Sequence, residues 1–312
     1  NEQGIECVHL DWKPPFSGSK KIADLLTPEK MEVIDEANSE AFRRLTTSNP
    51  ALVDIKRASD VLPGMHKKKI LHAGPPIEWE RMCGPMKGAI EGALIYEGLA
   101  GDIFEAERLA ASGGIEFEPC HHNKAVGPMA GIVSASMFMF EVKNETFGNF
   151  AYCTLNEGLG KVLRFGAYSN DVIKRLKWME ETLAPVLGEA VRKSGGIKLK
   201  PMISQALLMG DECHNRNVAG TNLFIKEIIP YLLETGIEKE VIKSIIQFIS
   251  SNPHTFLNLS MPYSKSVADT IFDLKHSSLV CATARNGVEI GIRVAGCGSE
   301  WFTAKAGMPK GL

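Results

Sequence analysis

The sequence predicts an α+β or mixed α/β multidomain fold: an α/β N-terminal part, a mixed core with short strands, and a small helical subdomain. Three observations carry this expectation. The chain has 312 residues and 44% hydrophobic content, enough to bury a sizeable core and to divide into two domains with a small third unit. Between residues 171 and 253 apolar side chains recur at helical spacing. Val172, Ile173, Leu176, Met179 and Leu183 form one stripe, and Val241, Ile242, Ile245, Ile246 and Ile249 form another. From Gly113-Gly114 onward the pattern changes to short strand-like runs, IEFEP, SMFMFEVKN and NFAYCTL. The expected division is residues 1–70 as the remnant of an α/β domain, 71–170 with 254–312 as a mixed α+β core, and 171–253 as the helical subdomain.

Taken in order, the opening NEQGIECVHLDWKPP reads as the end of a helix, a stop at Gly4 and a strand over 5–10, as in a piece of a longer chain. A helix follows. Thr27 suits the N-cap, Pro28 the first helical position, and Met31, Ile34, Ala41 and Leu45 recur on one face up to Ser48-Asn49-Pro50. After the strand-like ALVDI comes a helix whose Gly84, Gly88 and Gly92 recur every four residues and so bare the backbone along one face. Each interior Gly costs about 1 kcal/mol relative to Ala, so close packing or a ligand must compensate. Pro85 marks the start of that helix, where free N–H groups favour an anion. The turn NEGLGKVLRFG lacks the spacing of a phosphate loop. Near the C-terminus, SSLVCATARNGVEIGIRVAG carries two strand-like runs around Asn286-Gly287, a strong hairpin signal that puts Arg285 beside the turn.

Composition narrows the function. Lys plus Arg at 35 against Asp plus Glu at 37 gives a formal net charge of -2, so bulk electrostatics point to neither nucleic acid nor an anionic membrane surface. No run approaches the roughly 18 apolar residues of a membrane helix. Seven cysteines without a C-x-x-C pair read as free thiols of a reducing cytoplasm. The expected ligand is small.

The chemistry concentrates in a few strings. MGDECHNRN, residues 209–217, follows an apolar run; if the helix starting near Pro201 continues through it, Asp211, His214 and Asn215 share a face and the carboxylate can orient the imidazole. A capping and joining role for the same polar groups is equally open. CHHNK places Cys120, His121, His122 and Asn123 at the mouth of a strand. Two Cys-His strings raise zinc, though adjacent residues rarely ligate one ion together and the usual paired spacing is missing. They also raise a nucleophilic Cys120 or Cys213, against the rule that buried thiols are mostly inert.

HAGPPIEWERMCGPMKGA, CHHNKAVGPMAGIVSASM, TLNEGLGKVLRFGAYS, QALLMGDECHNRN and ARNGVEIGIRVAGCG together resemble the YlbE-like family. Members of that family are found beside FdrA-type proteins, and one branch is the AllG-type subunit of oxamate carbamoyltransferase in anaerobic allantoin catabolism. The resemblance spans nearly the whole chain, and relatives look longer at both ends. It implies phosphorolysis of carbamoyl-oxamate to oxamate and carbamoyl phosphate, or the reverse, within a multisubunit cytoplasmic enzyme. Its implied partners are a small anionic substrate (carbamoyl phosphate or phosphate, with an oxamate-like acid) and FdrA-type and other subunits, with a homodimer as one arrangement.

Such a reaction asks for cations and N–H donors where charge grows on a carbonyl oxygen and a departing phosphate. His214, oriented by Asp211, is the expected polarising or proton-transferring pair, with His121 and His122 as further catalytic candidates. The expected binding residues are His72, Arg81 on phosphate ahead of the Gly-spaced helix, Asn123, Asn156, Glu157, Lys161, Arg164, Asn215, and Arg216 or Arg285 on the oxamate carboxylate. No step demands a metal or organic cofactor. Two competing readings are a noncatalytic assembly subunit and a metal-dependent hydrolase; convergence of His72, His121, His214 and Arg285 on one cavity favours the transferase.

Overall fold

The structure, a computed structural model, describes residues 26–127, 131–286, 289–297 and 300–305, with the backbone alone at 285, 286 and 305. The reading of the first fifteen residues lies outside these. The first described helix, α1 (Pro28–Thr47), starts as its sequence requires: the Thr27 side chain accepts from the Lys30 N–H and Pro28 opens the helix. It leads into β1 (Pro50–Arg57), a short helix α2 (Ala58–Val61) and β2 (Lys69–His72). Next come the glycine-spaced α3 (Gly84–Tyr96), then α4 (Ile103–Ala111) and β3 (Glu116–Pro119). Four further strands follow: β4 (Ala125–Val126), β5 (Ile132–Val133), β6 (Phe138–Asn144) and β7 (Phe150–Thr154). The helical region holds α5 (Asn170–Trp178), α6 (Ala184–Lys193), the short strand β8 (Ile197–Lys198), α7 (Leu199–Leu208), α8 (Val218–Glu234), α9 (Lys239–Ser251) and α10 (Leu257–Ala268). Three strands, β9 (Val280–Asn286), β10 (Glu289–Val294) and β11 (Phe302–Lys305), follow it.

These strands form three small mixed or antiparallel sheets. The largest runs β4-β7-β6-β1-β8, with β1 antiparallel to both β6 and β8. It therefore draws strands from all three segments into which the sequence was divided. The second is β3-β2-β5, and the third is the meander β11-β10-β9, whose Asn286–Glu289 pairing bears out the hairpin signal. The mixed α/β class is as expected. One large apolar core runs from Leu52 and Phe140 of the five-stranded sheet through Ile90 and Leu94 of α3 to Phe224 and Ile245 of the helices and Phe256 just before α10.

One helix organises the functional strings. α10 packs on β6 and β7, and its first turn carries Asn258 while its last carries Lys265, both buried.

Candidate functional site

At the C-terminal end of α10 four strings meet. Lys265 is buried and its Nζ lies 3.0 Å from Asp269 Oδ1. Arg293, on the inward face of β10, is only 2% exposed, its guanidinium 4.2 Å over the Phe272 ring and 5.7 Å from the Trp301 ring. His121 stands edge-on to Trp301 at 5.5 Å. Burial above all, reinforced by Lys265, Arg293 and His122, pushes His121 down to about 3, so its ring is neutral. His72 is buried, its Nδ1 3.0 Å from the Ala73 carbonyl, and burial lowers it too, with His122 and Glu118 as its charged neighbours. Burial drives the Lys265 ammonium below the usual lysine range while Asp269 opposes that change. The result is two buried cations and a neutral imidazole near one carboxylate, with exposed His122 marking the way out to solvent.

At the N-terminal end of α10 a second network forms. Asn156 Nδ2 donates to Asn258 Oδ1 (2.7 Å) and to the His254 carbonyl (2.9 Å), and its own carbonyl group Oδ1 accepts from Gly158 N and from Asn252 Nδ2. Glu157 accepts from the Leu163 and Arg164 N–H groups at 2.8 and 3.3 Å; burial raises its pKa against those bonds. Arg164 is 6% exposed and donates from Nη2 to the Gly158 carbonyl at 2.9 Å. The glycine spacing of α3 makes this placement possible. A Cβ at Gly88 would sit 2.7 Å from the Gly166 carbonyl oxygen, and one at Gly92 would sit 2.4 Å from Leu163 Cδ1, so the loop carrying Arg164 lies directly on bare backbone.

The matching family model is described as oxamate carbamoyltransferase subunit AllG and covers residues 115–312. The chain belongs to the AllG family. It is 44% identical to the *Escherichia coli* (strain K12) oxamate carbamoyltransferase subunit AllG over 89% of this chain, and 45% identical to the *E. coli* (strain K12) protein YahG, described as uncharacterized, over 98%. It spans about two thirds of the length of these curated relatives, 67% and 66% respectively. A crystal structure of a conserved protein of unknown function from *Enterococcus faecalis* V583 matches with a TM-score of 0.87 and 47% identity, over 90% of this chain and 67% of that one.

In this AllG-family chain the expected Asp211–His214 pair on a helix is not formed. α7 stops at Leu208 because Gly210 takes φ +94° and Cys213 φ +59°, and 211–217 is a loop. Asp211 Oδ2 instead accepts from Gly220 N at 2.8 Å in the first turn of α8, and Glu212 takes the Asn215 and Arg216 N–H groups. His214, Asn215 and Arg216 are exposed. The polar string of residues 209–217 thus caps and joins two helices. Arg81, expected on phosphate, is exposed and ion-paired with Glu289 of β10. Lys161 is exposed and pairs with Asp171 at 3.3 Å, and Asn123 donates to Glu118 Oε2 at 2.7 Å.

His72, His121, His214 and Arg285 do not all meet in one place among the described residues. His121 lies in electrostatic reach of Lys265 and, like His72, of His122; exposed His214 is instead in electrostatic reach of His254; the side chain of Arg285 is outside the described residues. Among the described residues no group of three or more His, Cys, Asp or Glu is placed to hold a metal ion. Burial raises both Cys120 and Cys213, the former to about 12, which opposes a thiolate nucleophile. Sequence reasoning missed Lys265, Arg293, Asn252, His254 and Asn258. A signal existed for Lys265, since Leu257, Met261, Lys265 and Ala268 follow helical spacing and put a cation in an apolar stripe.

Proposed function

We propose that this chain is a subunit of a carbamoyltransferase that interconverts carbamoyl-oxamate plus phosphate with oxamate plus carbamoyl phosphate, and that Lys265, Arg293 and His121 form its carbamoyl phosphate seat. What supports the reading, beside membership of the AllG family, is one observation: two buried cations and a neutral imidazole gathered around a single carboxylate. In the synthetic direction the oxamate amide nitrogen attacks the carbamoyl carbon, the new C–N bond forms as the C–O bond to phosphate breaks, and the amide proton leaves with the phosphate. Lys265 and Arg293 meet the phosphate charge. His121, too weak a base to take the proton, donates its ring N–H to the carbamoyl oxygen as charge builds there.

The test is calorimetry of carbamoyl phosphate with the full-length protein and its partner subunits. Lys265→Met and Arg293→Met should each weaken binding about 10- to 100-fold, the worth of a charge-assisted hydrogen bond. Unchanged affinity in a folded Lys265→Met protein refutes the assignment. Subunit contact is a second role favoured by a separate observation: Leu207, Leu208, Met209 and Val218 form an exposed apolar patch beside the 209–217 loop, with Leu208 89% exposed.

A further inference from the structure

Arg164 is a buried cation that the carbamoyl phosphate seat does not use. Its Nε and Nη1 are fully buried and donate to no atom among the described residues, although a guanidinium has five N–H donors and only the Gly158 carbonyl is met. No carboxylate among the described residues forms an ion pair with it within 4 Å; Glu157 nearby is committed to the Leu163 and Arg164 N–H groups. Leaving such donors unmet in the interior is costly, so an acceptor at this place is favoured. Arg164 lines a cavity of about 40 Å³ whose other walls include Ile132, Met137, Phe138 and Leu155, with Asn258 at its polar side. At about 10–15 Å³ per water-sized occupant, that is room for about three such groups. Glu180, at the far wall, already has Arg57 and Lys177 at 3.0 Å and the Tyr96 hydroxyl at 2.8 Å, so its charge is met.

We infer that this cavity is a seat for the carboxylate end of a small organic acid, with Arg164 as its cation and the apolar walls around the carbon next to it. One cation matches one negative charge, and the apolar lining opposes a dianion such as phosphate. The inference rests on the carbamoyltransferase reading only in naming an oxamate-like acid as the natural occupant; a carboxylate seat stands without it. Acetate and acetamide are nearly isosteric and differ in charge, which makes them the deciding probes. Calorimetry and crystal soaks of the full-length protein with formate, acetate, oxamate, acetamide and phosphate should place a planar anion against Arg164 for the acids. Arg164→Gln should weaken acetate binding at least tenfold, and Glu157→Gln, which removes a nearby negative charge, should tighten it. Equal binding of acetamide, displacement by phosphate, or water alone in the soaked cavity overturns the inference. The wild-type soaks decide the matter even if a variant fails to fold. Lys265→Met should leave acetate binding intact, so loss of carbamoyl phosphate binding with retained acetate binding separates the two proposals.

Discussion

At the scale of single residues, His121 is the group whose surroundings most change its chemistry. An ordinary imidazole titrates near 6.5, whereas this one is held at about 3. The folded protein therefore binds fewer protons than the unfolded chain between those values, and its stability falls as pH drops through that window. The slope from this one group is at most about 1.4 kcal/mol per pH unit. His121→Gln cannot titrate, so denaturant melts of the variant should lose less stability than wild type between pH 6.5 and 4.5, where few carboxylates contribute. Parallel pH profiles for the two proteins count against a neutral, buried His121. Asp211 gives the opposite lesson. It looked like the orienting partner of an imidazole and caps a helix instead, because two left-handed backbone turns at Gly210 and Cys213 rotate its neighbours away.

At the scale of elements, α3 shows how an unfavourable local choice is offset by packing. Its interior glycines weaken the helix, yet Gly88 and Gly92 admit the 163–168 loop to within contact of its backbone. Gly84, at the helix start, faces open space. The start and the interior of the glycine row should therefore respond differently to a methyl group. Gly88→Ala should destabilise the protein by about 1–3 kcal/mol through overpacking, and should weaken acid binding by displacing Arg164. Gly84→Ala should stay within about 0.5 kcal/mol of wild type. Thermal melts of the two variants side by side check this, and equal melting temperatures contradict the packing account. The β10 strand shows a second element-scale reversal: Glu289, Gly291 and Arg293 face inward while Ile290 and Ile292 are exposed. Its alternation is that of a half-buried strand, but the charged face is the buried one, and it delivers Arg293.

At the scale of the whole molecule, α10 divides the polar strings between its two ends, so one helix sets the relation between the two proposed seats. The surface adds the third feature, the apolar patch at Leu207, Leu208, Met209 and Val218. If it meets another subunit, Leu208→Glu should abolish co-purification of the full-length protein with its partners while leaving the melting temperature within a few degrees, since an 89% exposed side chain contributes little to the fold. Intact association of that variant removes the patch from consideration as a contact.

Local rules on the page of the sequence determined a good deal: the Thr27 cap and Pro28 start, the helical stripes of 171–253, the strands after Gly114, the Asn286-Gly287 hairpin, and the demand of the α3 glycines for a close neighbour. Each depends on interactions within a few residues. The family membership was likewise legible, because long unusual strings such as CHHNKAVGPMAG and MGDECHNRN carry it. Which strings meet was decided only in three dimensions. His121, Lys265 and Arg293 are separated by 144 and 28 residues along the chain, and nothing in their local patterns couples them. Their shared environment is a product of α10 packing on the five-stranded sheet, where desolvation, a property of the assembled interior, turns ordinary side chains into a neutral imidazole and buried cations.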